Sequence, residues 1–383
     1  MHKEIVPFFR PNITAEDKKR VTEALGSPWL TGGPKAAEFE NLFANYIGTE
    51  YAVAVNNCTA ALHLALRALN IGDGDAVVVP ALTFAATANA PLFCGAVPIF
   101  ADIDERTFNI SPKDALKRIT TNTKAIVVVH YAGQPCDMNE IMQIAQEHNL
   151  FVIEDCAHSL GASYSGKQTG SIGTAGCFSF YPTKNITTLE GGMITTNDKD
   201  ISHKANILRS HGMTRDAWER KDAATWYYDI IDLGYNYRLN EVQAALGISQ
   251  LSRINKINDQ RVKWAHYYTK ELAGIKGIEL PLEAKGRTHP YHLYVIRIIE
   301  SEFGISRDEL FNQLSARGIG LSVHYTPLHL LTYYRKNLNC KLGSYPVAER
   351  ISKEILSLPL YPTMRRAQVD YVVEQIKEIA DNC

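Results

Sequence analysis

Residues 177–196 read CFSFYPTKNITTLEGGMITT. The alternating apolar run 177–181 predicts a strand, and 193–196 predicts a second one after Gly191 and Gly192. Between them Lys184 sits in a polar turn, with Pro182 before it and Asn185 after it. A lysine on a turn is ordinarily just solvated. Here Ser179, Tyr181, Thr183 and Thr187 crowd it, and the glycine pair is able to bring backbone close to a bound group. An amine in a confined, partly dry place gives up its proton more readily. Only the neutral amine attacks a carbonyl to make a Schiff base.

Upstream of this stretch, short apolar runs alternate with helical ones. Residues 51–55, 76–79, 97–101, 125–129 and 151–154 read as strands, and 59–69, 85–93, 112–119 and 138–148 as helices. That rhythm predicts an α/β layer with a mostly parallel sheet, whose strands are buried on both faces. In such sheets ligands gather at the carboxyl ends of strands. The rule selects residues 56–59, Phe84, residues 130–131, residues 155–158 and residues 179–184. Nearer the start, Thr14 and Asp17 predict a capped helix ending at Gly26, followed by a glycine-rich loop and a helix over 34–46. Downstream, 199–211 reads as a helix and 213–231 as an irregular surface loop. One long helix is expected over 239–272, a strand over 291–299, and helices over 307–317 and 371–379. We expect a large domain over 1–250, with an N-terminal arm, and a smaller α/β domain over 251–383.

With 383 residues the chain is long enough for one large and one small domain. Lys+Arg 40 against Asp+Glu 41 gives a net charge of −1, so no electrostatic case exists for nucleic acid or an anionic membrane as partner. The N-terminus lacks the apolar run of a signal peptide, and no stretch reaches membrane-span length. The seven cysteines are odd in number and scattered, with no CxxC pair. They read as reduced thiols of a cytoplasmic protein.

Four features then carry chemistry. The turn 56–61 leads from a strand into a helix whose first N–H groups suit a phosphate, with the Thr59 hydroxyl as a further donor; the same pattern is an ordinary N-cap. Asp155 ends an apolar strand. In a dry pocket it needs a cation, and a protonated pyridine nitrogen is one; a helix-capping acid is the plain alternative. His158 either faces that ring or packs in the core. Phe84, just past a strand end, either stacks on a flat cofactor or belongs to the core. None is specific alone. A phosphate seat, a stacking aromatic, a ring-nitrogen acid and a Schiff-base lysine together are what a pyridoxal phosphate (PLP) enzyme needs.

The combination resembles the sugar aminotransferases of the DegT/DnrJ/EryC1/StrS family, of the aspartate aminotransferase fold (fold type I), almost end to end. The likeness lies in residues 30–34, 57–64 and 83–84, in the 154–158 and 178–184 blocks, and in 190–193 and 233–239. It implies a seven-stranded, mostly parallel sheet and a shared-site homodimer. Lys184 would bind PLP covalently, Asp155 would pair with its ring nitrogen, and Phe84 would stack on it. Thr59, the Ala60 amide and Ser179 would hold the phosphate, with Asn236 reaching it from a neighbouring subunit. Arg238 would bind the amino donor's carboxylate. Thr31, Tyr181, His324 and Tyr325 would touch the sugar nucleotide. Many members have Gly where this chain has Cys58, and Gln where it has His158. The resemblance further implies a ping-pong cycle. Glutamate leaves as 2-oxoglutarate, pyridoxamine phosphate (PMP) carries the amine, and a nucleotide-linked 4-keto-6-deoxyhexose accepts it.

Rival readings are a 3-keto sugar aminotransferase, which uses the same residues, and the dehydratase branch, where a histidine typically replaces the lysine. A PLP-fold regulator without catalysis would need a DNA-binding module, for which the N-terminal arm is too short. A sulfur-transfer enzyme would need a reactive cysteine on a mobile loop.

Overall fold

The computed structural model describes residues 5–215 and 217–383. Its strands, in chain order, are β1 (Tyr51–Val55), β2 (Ala76–Pro80), β3 (Val97–Ala101), β4 (Thr123–Val129), β5 (Phe151–Asp155), β6 (Ser163–Tyr164) and β7 (Lys167–Gln168). They continue with β8 (Ala175–Ser179), β9 (Gly192–Thr196), β10 (Ile278–Glu279), β11 (Arg287–Thr288), β12 (Tyr294–Ile298) and β13 (Ile355–Leu358). Seven of them form one sheet in the order β1-β9-β8-β5-β4-β2-β3. β9 is antiparallel to both of its neighbours, and every other pairing in that sheet is parallel. The expected α/β fold with a seven-stranded, mostly parallel sheet is therefore present.

The solid apolar runs explain why this sheet is buried on both faces. Alternate residues enter different cores. Val77, Val79 and Val127 join one cluster, and Val78, Ile126 and Val128 join another on the opposite face. Helix α1 (Ala15–Leu25) carries the expected capping box, in which the Asp17 N–H donates to Thr14 Oγ1 at 3.3 Å and the Thr14 N–H to Asp17 Oδ2 at 2.7 Å. Helices α2 (Pro34–Ile47), α3 (Cys58–Ala68), α4 (Ala85–Phe93), α5 (Pro112–Arg118), α6 (Met138–His148) and α7 (Lys199–Arg209) follow. α3 packs into the first cluster. α5 and α6 pack into the second, and α2 covers the β8–β9 end through Phe39 and Phe43.

Several expectations shift. The strand expected over 177–181 begins earlier and ends at Ser179, because the Phe180 carbonyl leaves the ladder to accept the Thr188 N–H at 3.0 Å and the Thr187 hydroxyl at 2.9 Å. The irregular stretch 213–231 contains a short helix, α8 (Ala217–Asp222). The single helix over 239–272 is two, α9 (Glu241–Leu251) and α10 (Ile254–Leu272). Arg253 leaves helical geometry at φ −123° and ψ 17° and ion-pairs with buried Asp17. The strand over 291–299 is confined to β12, since the Leu293 N–H is drawn to the Ala132 carbonyl at 3.2 Å.

A second sheet, β10-β12-β13, is antiparallel and packs against α10 and the helix Arg366–Ala380. Val6 of the N-terminal arm joins that core, pairing with Gly318 and Gly320. Residue 250 falls in the last turn of α9. Leu328, Tyr334, Ala348 and Ile351 pack in the cluster on the main sheet. Among the described residues no helix is long and apolar enough to cross a membrane.

Candidate active site

The parallel strands share one carboxyl edge, and a cavity of about 890 Å³ opens there. Its walls include Thr59, Ala60, Phe84, Asp155, His158, Ser179, Tyr181, Lys184, His324 and Tyr325, brought together from the ends of β5 and β8, the starts of α3 and α4, and the segment 324–325. Thr31, Asn236 and Arg238 do not line it.

Lys184 follows β8 in a tight turn closed by its own N–H on the Tyr181 carbonyl at 2.9 Å. Its side chain is half-buried, and among the described residues its Nζ has no hydrogen bond or ion pair. Burial pulls its pKa down to about 8, against the opposing pull of Cys58 and Asp155. A substantial neutral fraction near pH 7.5 follows, which is the nucleophilic form.

Asp155 is the last residue of β5 and only 5% exposed. Its Oδ2 accepts from the Thr87 hydroxyl at 2.9 Å and its Oδ1 from the Ala157 N–H at 3.2 Å. Burial nevertheless raises its pKa, because two donors and the distant amine do not replace lost hydration. A further cation beside the carboxylate would offset that burial.

At the β1–α3 turn the N-cap is Asn57, whose Oδ1 accepts the Ala60 N–H at 2.8 Å. The Ala60 amide expected to face a phosphate is thus already engaged by its own chain. The N–H groups of Cys58 and Thr59 precede the first intrahelical bond and point from the positive end of the helix. Gly192 lets β9 close against this turn, since a Cβ there would lie 2.5 Å from the Asn57 carbonyl carbon. The glycine brings two stretches of backbone together, where the sequence suggested an approach to a bound group.

His158 accepts the Ala132 N–H on Nδ1 at 3.3 Å, so the neutral ring carries its proton on Nε2. That proton reaches the Tyr325 oxygen at 3.1 Å and leaves the phenol's own proton free. His292, unmarked in the sequence, lies 4.4 Å from His158 between ring centroids, with its Nδ1 buried and unpartnered. Burial, with Lys184 as the next cause, lowers the pKa of His158, His292 and His324, the last to about 4. The cavity thus presents neutral imidazoles around one amine. Phe84 caps α4 and is 60% exposed, beside Tyr325 at 6.0 Å. Phe8 of the N-terminal arm stacks on His324 at 5.7 Å. Only the fold could reveal Phe8 and His292. Thr87 had a local signal, the Thr83–Thr87 spacing at the start of a helix.

The three residues outside the cavity sit together elsewhere. Thr31 bridges to Asn240, Arg238 bridges to Val55, and the Arg238 side chain passes Gly32. Asn236 is exposed and bridges to Ser210. Next to it the run 226–233 exposes Trp226, Tyr227, Ile230, Ile231 and Leu233.

An unpartnered amine of lowered pKa, a buried acid short of a cation, a helix N-terminus and an exposed aromatic fit pyridoxal phosphate group by group. Comparison with known proteins agrees. The model of the DegT/DnrJ/EryC1/StrS aminotransferase family matches residues 11–377. The chain is similar to the spore coat polysaccharide biosynthesis protein SpsC of Bacillus subtilis, with 44% identity over 376 residues, 98% of this chain and 97% of SpsC. It is similar in structure to Spr1654 from Streptococcus pneumoniae in its PLP form, with TM-score 0.91 and 32% identity over 99% of both chains; a PMP form matches with the same TM-score. It also resembles Helicobacter pylori PseC, an aminotransferase involved in the biosynthesis of pseudoaminic acid, with TM-score 0.92 and 30% identity over 99% of this chain and 100% of PseC.

Proposed function

This chain belongs to the DegT/DnrJ/EryC1/StrS aminotransferase family, a PLP-dependent sugar aminotransferase by that membership, and we propose that it converts a nucleotide-linked 4-keto-6-deoxyhexose to the 4-amino sugar with glutamate as donor. The observation that carries the catalytic reading is the Lys184 amine, shifted to about 8 and without a partner among the described residues, in the same cavity as buried Asp155.

In this reading Lys184 would hold the cofactor covalently, Asp155 would pair with its ring nitrogen, and Phe84 would stack on its ring. Thr59, Ser179 and the N-terminus of α3 would hold its phosphate, with the Ala60 amide available if Asn57 released it. His158 donates its proton to the Tyr325 oxygen, and Tyr325 would present its own phenol proton to the cofactor's polar edge. When bound, PLP supplies an electron sink for charge at the reacting carbon. Lys184 Nζ, as a free amine, would move the proton from the donor's α-carbon to the cofactor's C4′ carbon, and in the second half-reaction from C4′ to the sugar carbon that receives the amine. Such positioned acid–base work is worth about a hundredfold or more. Tyr181, His324 and Tyr325 bound the space for the sugar.

Thr31, Asn236 and Arg238 act, in this proposal, in the site of a second copy. Their support is position: Asn236 closely follows the exposed apolar run 226–233, which a partner subunit would cover, and the Arg238 side chain two residues on passes Gly32, next to Thr31. The 3-keto alternative uses the same residues. The test is to incubate the protein with PLP, glutamate and a panel of nucleotide-linked keto-sugars and to follow amine formation by mass spectrometry. Products from 4-keto acceptors are expected. Amination of 3-keto acceptors alone would overturn the regiochemistry, and no product from any of them would overturn the substrate class.

A further inference from the structure

Asp155 does not stand by itself. Thr87 is fully buried in α4, and its single hydroxyl proton goes to Asp155 Oδ2 at 2.9 Å. Thr83, one turn earlier and 1% exposed, has its Oγ1 2.9 Å from Thr87 Oγ1. A hydroxyl has one proton to give. With the Thr87 proton committed to the carboxylate, Thr83 is the donor to Thr87. The chain of hydrogen bonds therefore has a direction, from Thr83 through Thr87 to the acid. Such chains polarise one another, and each donor strengthens the next. The oxygen that receives it is fixed on the α4 side, and the Ala157 N–H holds the other. The same helix presents Phe84 to the cavity at its N-cap, so one short element sets both an aromatic wall and the orientation of the acid.

We propose that Thr87, supported by Thr83, is a positioning residue that keeps the Asp155 carboxylate ionised and aimed at the cofactor's ring nitrogen. This rests on the assignment of Asp155 made above. Neither threonine is a catalytic residue, because each acts through Asp155.

The test is a PLP titration of the cofactor-free protein, read by fluorescence quenching, alongside its thermal unfolding without PLP. Thr87→Val keeps the shape and removes the proton. It is expected to raise the PLP dissociation constant about tenfold, the usual range for losing a hydrogen bond to a charged group. Thr87→Ser restores affinity to within about twofold of the parent, and Thr83→Val costs about two- to threefold, as a donor one step removed. On an Asp155→Ala background Thr87→Val changes affinity by less than about twofold, because the two act as one unit. A Thr87→Val protein that unfolds earlier yet binds PLP as tightly as the parent would overturn the proposal. An equal tenfold loss on the Asp155→Ala background would do so as well. If Asp155→Ala alone binds PLP like the parent, the assignment of Asp155 is what fails. Should Thr87→Val not fold, Thr87→Ala and Thr83→Val carry the same comparison.

Discussion

Glu154 and Asp155 are neighbours on β5, both buried and both acidic, yet they face opposite sides of the sheet and differ in every other respect. Glu154 is saturated by its own chain. Its Oε1 accepts the Ile172 and Gly173 N–H groups at 2.8 and 2.7 Å, and its Oε2 accepts the Gly170 N–H at 2.9 Å and His130 Nε2 at 3.0 Å. His130 Nδ1 accepts the Cys136 N–H at 3.0 Å, which puts the ring proton on Nε2, toward the acid. Burial pushes Glu154 up, but His130 and the amides outweigh it and hold its pKa below the ordinary value. Asp155, with two donors, is pushed up. The contrast teaches how to tell an acid that builds the fold from one that, in the proposed function, serves a ligand. The first has spent its oxygens on its own backbone; the second has capacity left for a cation from outside.

The contrast is broken or sharpened by four measurements. Lys184→Ala, which removes the amine that would share the Asp155 cavity, should lower transamination at least about a thousandfold. The borohydride-trappable PLP adduct should vanish; an adduct surviving on another lysine would move the site. Asp155→Asn should cost about a hundredfold in turnover, the scale of a lost preorganised electrostatic contact. In cofactor-free protein the same change should leave the melting temperature unchanged or higher at neutral pH. The folded-state pKa of Asp155 lies above its unfolded value, so its ionisation opposes folding above that pKa.

Glu154→Gln should show the reverse, losing about 2 kcal/mol of stability because the buried amides lose their charged acceptor. The stability Glu154 contributes is present above its unfolded pKa and lost as pH falls through its lower folded value. Denaturant melts of the parent and variant should therefore converge in acid. A melt unaffected by Glu154→Gln, beside a collapse with Asp155→Asn, would invert the assignment of the two acids. The smallest effect is a shift in midpoint. Capture of PLP by the cofactor-free protein should rise with pH and level off above about 8. An ordinary lysine would keep climbing toward about 10.4, and such a profile would show that the amine is solvated.

The family, the parallel sheet and the gathering of the site at the strand ends were legible in the sequence for a local reason. Apolar runs of five residues cannot face water on either side, and β1, α4, β3 and α6 lie where the spacing puts them. Lys184 could be singled out because its turn and its crowding are written within a few neighbours. Asn57 as the N-cap was harder to see, because Asn57 and Thr59 are both good caps and the choice depends on where the helix begins. The break at Arg253 answers to Asp17, a residue remote in sequence. The packing of Leu328 and Ile351 on the main sheet is invisible to any local window.

By itself, then, the sequence determined which residue types stand at the carboxyl ends of the strands, since period and turn chemistry act between near neighbours. Only the tertiary structure decided what those residues touch. It made Glu154 a backbone anchor and left Asp155 wanting, and it set Thr87 and His292 beside the acid and the imidazole. Adjacent residues of a strand point to opposite faces, and the donors each finds there come from segments brought in by the fold.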